Sequence, residues 1–356
     1  MTDWNTELLD AVAAMAERAG IETATPAAGT DRALWAALTD AGFTAVGIPE
    51  EQGGSGGTEA DVLSVVYAAT AHGALTPVVE HTALASRLIA ECTGRPAGRL
   101  ATLAVADGGC AVRDTGDGAM LDGTVTGVVH GADAEVLALV LPAAEPDSPP
   151  SIAIVATGAP GVVVERGTDL LGAALGDYRF AGTPTEIHES PLRTDELEER
   201  GALAYAVALA AAASAVRDGT LRYAAERTQF GRSLAKFQAV QQRLAGLAAL
   251  TALMESAAAA AAAAGQAERR TAIAAAKVIA SVSAREVAAA GHQLHGAIGF
   301  TAEHSLGRST TALWNWRDRY GSERYWSEII GAQILDAGAD PWELITGTAV
   351  VEEKSQ

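Results

Sequence analysis

Two stretches of the chain gather a cation, an aromatic ring, amides and glycines at close spacing. In Arg227-Thr228-Gln229-Phe230-Gly231-Arg232-Ser233-Leu234, Arg227 offers a rigid guanidinium fork that matches phosphate oxygens. Phe230 adds apolar surface and Gly231 adds bare backbone beside it. Gln238 follows in Phe237-Gln238-Ala239-Val240-Gln241 and carries both donors and acceptors, which suits a ribose or the edge of a base. The second stretch is Gln293-Leu294-His295-Gly296-Ala297-Ile298-Gly299-Phe300-Thr301, with Glu303 close behind. Its glycines let backbone approach a ligand, and His295 reads as a helix-terminal cap.

Helices must position both stretches. From Thr194 onward the pattern is helical, and Phe237, Val240, Leu244, Leu247, Thr251 and Met254 keep a period of three to four. The apolar run Ala202–Val216 and the alanine run Ala257–Ala264 read as helices buried against other helices. Leu306 onward is less regular. The first hundred residues are helical as well. Leu8, Val12 and Met15 share one face, and Leu34, Leu38, Phe43 and Val46 make a second stripe. Further helices are expected over Glu59–His72 and His81–Glu91, with a glycine loop over residues 53–57.

Between about Ala101 and Ser190 the texture changes. Short apolar runs such as Val136–Val140, Ile152–Val155 and Gly161–Val164 are bounded by Gly, Pro and Asp, which is strand-and-turn composition. Leu121-Asp122-Gly123-Thr124 predicts an Asp-Gly hairpin turn, and Pro142–Pro150 a surface loop. The expected organisation is α+β and mostly α: helices over 1–100, a small β-barrel or sheet over 101–192, and a helical bundle over 193–356.

Composition narrows the function. A net charge of −19 argues against nucleic acid and against an anionic membrane surface, both of which call for clustered cations. Ala202–Val216 is shorter than the ~20 residues that span a bilayer. Cys92 and Cys110 form no metal-ligand pattern and fit a reducing compartment. Met1–Glu22 holds acids and lacks the apolar core of a signal peptide, so a cytoplasmic location is expected.

Three segments in order, Trp35–Gly54 with its Ile48-Pro49-Glu50-Glu51, Arg227–Gln241 and Gln293–Thr301, resemble the acyl-CoA dehydrogenase family across nearly the whole chain. The resemblance implies an N-terminal helical domain, a central β-domain and a C-terminal four-helix bundle. It implies FAD as cofactor, α,β-desaturation of an acyl-CoA, and an electron-transfer flavoprotein as acceptor. It also implies that Arg227, Phe230, Gln238, Gln293 and Gly296 contact the flavin of a neighbouring subunit, so that the assembly is at least a dimer, with a homo- or heterotetramer expected.

The chain departs from the family at the base. The chemistry needs a carboxylate to take the α-proton. The two positions that carry it in the family fall here on Gly201 and Tyr320. Glu199 and Glu323 are the nearby acids. Glu199 is two residues from Gly201, about 200° around a helix, and faces elsewhere; Glu323 requires a reshaped loop. Each reads most simply as a solvated surface acid. Tyr320, a phenol of pKa about 10, is a poor base. The elements that hold the flavin ring in the family correspond to Leu103–Gly109 and Gly127-Val128-Val129, which lack its side chains. Three readings follow: a subunit that completes a partner's FAD site in a heteromer, such as those acting on bulky acyl-CoAs; a self-sufficient homo-oligomer using Glu199 or Glu323; or a non-catalytic acyl-CoA-binding or scaffold homologue. Trp314, Trp316, Tyr320, Tyr325 and Trp326 read as pocket, interface or packing, and Arg317-Asp318-Arg319 as surface or interfacial ion pairs.

Overall fold

In the computed structural model, residues 5–21, 30–71, 73–116, 118–143, 148–302 and 304–336, with 340 and 342, are described. Glu22, His72, Glu303 and positions 144–147 of the expected loop lie outside them. The chain is helical to Thr93, forms strands from Ala101 to Glu189, and is helical again from Thr194.

The N-terminal helices are α1 (Thr6–Arg18), α2 (Arg32–Asp40), α3 (Glu59–Thr70) and α4 (Ser86–Thr93). The Leu34–Val46 stripe is not one helix. It breaks after Asp40, Gly42 turns the chain at φ 80°, and Phe43–Ala45 form a single 3-10 turn. The helix expected from His81 begins earlier, as a buried π-helical segment over Val78–Ala85 that runs directly into α4. Thr58 caps α3 through a reciprocal box with Asp61.

Seven strands follow: β1 (Ala101–Val105), β2 (Cys110–Asp114), β3 (Ala119–Val129), β4 (Val136–Leu141), β5 (Ser151–Ala156), β6 (Val162–Thr168) and β7 (Ala174–Glu189). They form one sheet in the order β1-β4-β5-β7-β3-β2, with β6 also on β7; β1 and β4 run parallel and the other pairs antiparallel. The expected hairpin turn at Asp122-Gly123 is absent. Both residues lie inside β3, and the ladder to β7 slips there as a bulge. The glycine serves a close approach: at φ 130° it passes the backbone of Gly109 so closely that a Cβ would overlap it. Asp122 accepts from Gly182 N–H at 2.7 Å and pairs with Arg113 across β2.

Then come α5 (Thr194–Glu226), α6 (Gln238–Ala263), α7 (Arg269–His295), α8 (Leu306–Trp316) and α9 (Glu323–Leu335). The connections from α5 to α6 and from α6 to α7 are short, so these neighbours alternate in direction. α8 lies on α5 and α9 on α7. α5 is buried all round from Ala202 to Ser214, which is what a helix apolar on every face requires. Its small side chains let α3, α6, α7 and α8 all approach it. The N-terminal helices share a single core with this bundle rather than forming their own, while the sheet keeps a second core around Leu121, Leu137 and Tyr178.

By length and composition α5 and α6 could each cross a membrane, but α5's most apolar window is 89% buried in the protein. α6 differs from expectation, with only 33% of its window buried. Leu244, Leu247, Thr251, Met254, Ala258 and Ala261 face the core, and the opposite alanine-rich face is open in the single chain. Helical periodicity located the inward stripe correctly; alanine on the outer face carried no signal of which side it would take.

Lys277 of α7 is fully buried and donates to Arg317 O at 2.6 Å, Gly321 O at 2.8 Å and Ser281 Oγ at 3.2 Å. It thereby ties the end of α8 to the turn before α9. Lys277→Met, which leaves the Gly321 carbonyl without its ammonium donor and Arg317 O with only the Ser281 hydroxyl at 2.8 Å, is expected to cost about 1–3 kcal/mol in urea unfolding. Burial lowers the Lys277 ammonium from 10.5 to about 8. A base whose folded pKa lies below its unfolded one penalises the fold below the folded value, and the penalty lifts as pH rises toward the unfolded value. The stability gap between wild type and Lys277→Met should therefore widen between pH 8 and 10.5. A constant gap across that window would remove the buried-ammonium account.

Candidate functional site

Alternating helix direction brings the end of α5, the start of α6 and the end of α7 to one end of the bundle. Ala224, Leu244 and Leu294, one from each helix, form a small apolar cluster that fixes them together. Tyr223 stacks on His295 with ring centroids 4.4 Å apart. All five residues expected at a flavin, Arg227, Phe230, Gln238, Gln293 and Gly296, come out at this end, and all five are exposed.

Local geometry explains how they are presented. After α5 the chain makes a hairpin, β8 (Thr228–Gln229) against β9 (Arg232–Ser233), whose turn is Phe230-Gly231. Both turn residues have positive φ, 50° and 79°, the signature of a type I′ turn. A phenylalanine is costly there, yet Phe230 is 92% exposed and packs only edge-on to Phe237, 6.3 Å away. Arg232 sits over the Phe237 ring at 4.1 Å. Arg227 makes no side-chain hydrogen bond or ion pair among the described residues. Residues 222–243 hold five cations, Arg222, Arg227, Arg232, Lys236 and Arg243, against the single acid Glu226, in a chain whose net charge is −19. Gly296 ends α7 at φ 63°, and the space where a Cβ would stand at Gly231 or Gly296 is empty. Free guanidinium, bare backbone and exposed ring fit the pyrophosphate and flat rings of FAD. His295 is not a simple surface cap: it is 4% exposed, its Nδ1 bonds Gly291 O at 2.8 Å, and burial lowers its pKa.

The opposite end of α5 holds the two base positions. Gly201 and Tyr320 are in direct contact, and a Cβ at 201 would overlap the Tyr320 ring. Tyr320 has φ 51°, its carbonyl accepts from Trp326 Nε1 at 2.8 Å, and its ring stacks on Tyr205 at 5.9 Å. Burial pushes its phenol pKa up, away from any role as a base at neutral pH.

Glu199 and Glu323 point elsewhere. The helix has started well before Glu199, so the half-turn offset from Gly201 holds. Glu199 is only 8% exposed, not a solvated acid, and is bound by Arg270 at 2.6 Å. Glu323, the first residue of α9, is hydrogen-bonded by Arg317, which holds its carboxyl below the usual range. Both carboxylates are thus engaged by guanidinium groups.

Sequence reasoning missed Glu80. It is 3% exposed on the π-helical segment, accepts from the Tyr205 hydroxyl, and lies 3.9 Å from His130 Nε2. Only the tertiary fold brings it within reach of Tyr205, so no spacing rule could have found it. The aromatic cluster divides: Trp316 and Trp326 are core, while Trp314 is 45% exposed. Arg319 is not a surface cation but pairs with the buried Asp169 at 3.0 Å.

Helices on either side of a mostly antiparallel sheet in the chain, with exposed cations gathered at one end of the bundle, make up the architecture. The model for the acyl-CoA dehydrogenase N-terminal domain matches residues 2–95 and that for the C-terminal domain residues 197–335. The chain belongs to the acyl-CoA dehydrogenase family, whose members are oxidoreductases acting on CH–CH groups. It is 32% identical to acyl-CoA dehydrogenase FadE27 of Mycobacterium tuberculosis over 235 residues, 60% of this chain and 62% of that relative's length. The structure of the ChsE4-ChsE5 complex from Mycobacterium tuberculosis has the same fold, with a TM-score of 0.79 and 24% identity over 96% of this chain and 99% of that one. A variant of the Tcur3481-Tcur3483 steroid ACAD gives a TM-score of 0.78 and 25% identity over 94% and 98%.

The contact between Gly201 and Tyr320 predicts a thermodynamic cycle. Gly201→Ala should destabilise the chain by about 1–3 kcal/mol through overpacking. The same substitution should cost less than half as much in a Tyr320→Ala background, where the ring is gone. Equal penalties in the two backgrounds, measured by chemical unfolding, would place the ring elsewhere.

Proposed function

We propose that this chain is one subunit of a heteromeric, FAD-dependent acyl-CoA dehydrogenase, and that it completes the FAD site of an unlike partner instead of supplying a base of its own. One observation carries the reading: the residues expected at the flavin are all exposed at one end of the bundle, while at the other end glycine and a half-buried tyrosine stand at the expected base positions and the nearest acids are held by arginines. In such an assembly FAD supplies the hydride acceptor for α,β-desaturation. Arg227 neutralises pyrophosphate charge, Phe230 covers a flat ring, Gln238 and Gln293 hydrogen-bond ribose and adenine, and Gly296 admits the cofactor to the backbone. The partner's carboxylate takes the α-proton.

The open alanine-rich face of α6 supports a tetramer built through the bundles. Likeness to the ChsE4-ChsE5 complex and to a steroid ACAD supports a heteromer and a bulky acyl-CoA substrate. We place the protein in the cytoplasm, with an electron-transfer flavoprotein as acceptor, and divide it into domains at about 101 and 193. The self-sufficient reading is disfavoured by the pairing of Glu199 and Glu323 with arginines.

Purified alone, the chain should be colourless; co-expressed with its partner subunit it should carry about one FAD per pair, seen in the visible absorbance of the complex. In that complex Arg227→Ala should weaken FAD retention about tenfold or more, as expected for losing a charged hydrogen-bond donor. A full complement of flavin on the chain alone would reject the complementing role.

A further inference from the structure

We propose that the acyl cavity of this chain is permanently filled by its own side chains, with Tyr320 as the plug, so that the chain binds no acyl group itself. This rests on the reading above, because it takes the base positions from the family and infers where an acyl group would lie. A base must reach the substrate's α-carbon within hydrogen-bond distance. The acyl group of a working site therefore lies against positions 201 and 320, and here that space is occupied.

The filling is built in layers. Tyr320 lies against Gly201, whose missing side chain makes room for the ring. Behind Tyr320 stands Tyr205, stacked on it at 5.9 Å and buried also against Trp316 at 6.4 Å. Behind Tyr205 is the carboxylate of Glu80, which accepts from its hydroxyl. Beyond Glu80, Asp169 holds Arg319 at 3.0 Å and Asn315 at 2.6 Å. Behind these layers lies a cavity of about 20 Å³, lined by Glu80, His130, Asp169, Tyr205 and Arg319 and touched by neither Gly201 nor Tyr320. That is space for about one water molecule, which needs ~10–15 Å³, whereas small-molecule pockets run to ~300 Å³ or more. His130 Nδ1 and Thr76 Oγ1 belong to residues bordering this space and have no hydrogen-bond partner among the described residues, which suits one bridging water.

The plug is fixed in place. Trp326 Nε1 and Lys277 Nζ hold the carbonyls of Tyr320 and Gly321, and Gly321 at φ 93° packs against Trp326 and Tyr325. An entering acyl chain would have to displace two stacked rings and strip the buried Glu80 carboxylate of its hydroxyl donor, replacing it with an apolar tail. Gly201 and Tyr320 are thus one paired substitution, each requiring the other.

The test is equilibrium dialysis of the purified full chain against octanoyl-CoA and, separately, coenzyme A. Wild type should bind octanoyl-CoA no more than about threefold tighter than coenzyme A, since no apolar surface is available to the tail. Tyr320→Ala should bind octanoyl-CoA at least about tenfold tighter than coenzyme A, the added affinity coming from tail burial. A wild type that prefers octanoyl-CoA tenfold, at one per chain, overturns the proposal, and so does a folded Tyr320→Ala without preference. If Tyr320→Ala does not fold, the wild-type comparison decides by itself. Flavin content is read separately, so loss of the complementing role and loss of the plug are distinguishable.

Discussion

The organisation of this protein depends on one helix being buried on every side. α5 can run through the centre because its middle is almost entirely alanine, leucine and valine, small enough for four other helices to pack around it. Between Gly201 and Arg227 it carries the chain about 39 Å at 1.5 Å per residue. One end of that rod is closed and aromatic; the other is open, cationic and glycine-bearing. Because the helix is rigid and its core is shared with the N-terminal helices, the two ends hold fixed positions in the molecule, and each can be altered without disturbing the other.

That separation gives physical meaning to what the chain has kept and lost. At the open end the residues are expensive to maintain: a phenylalanine at positive φ in full solvent, and a cluster of cations with few acids nearby. Neither stabilises the monomer. In the assembly proposed above they form half of a site shared with a different subunit, and the open face of α6 is the surface offered to a second bundle. At the closed end the opposite holds. Tyr320, Tyr205, Trp316 and Trp326 stabilise the monomer by packing, and the charges left there, Glu80, Asp169, Arg319, Glu199 and Glu323, each have a partner. A carboxylate committed to an arginine is a poor base, and a space filled by rings is a poor pocket. Packing has taken over where chemistry would have been.

The sequence by itself determined the order of the elements and the family. Hydrophobic period separated helices from strands, and two of the three motifs held the five residues that come out exposed at one end of the bundle. The resemblance put the base positions on Gly201 and Tyr320, neither of which is a carboxylate. What it left undecided were matters of side: which face of α6 would be covered, whether Asp122-Gly123 was a turn or a bulge, whether Glu199 and Arg319 met solvent. Alanine, glycine and charged residues serve both roles, and local pattern does not distinguish them. The tertiary structure decided these, since burial and pairing arise from residues far apart in the chain. Glu80 and Tyr205 are separated by 125 positions, and Gly201 meets Tyr320 only once α5 and the turn before α9 have packed together. That the two empty base positions are a single contact, each shaped to the other, is a fact about packing that no reading along the chain contains.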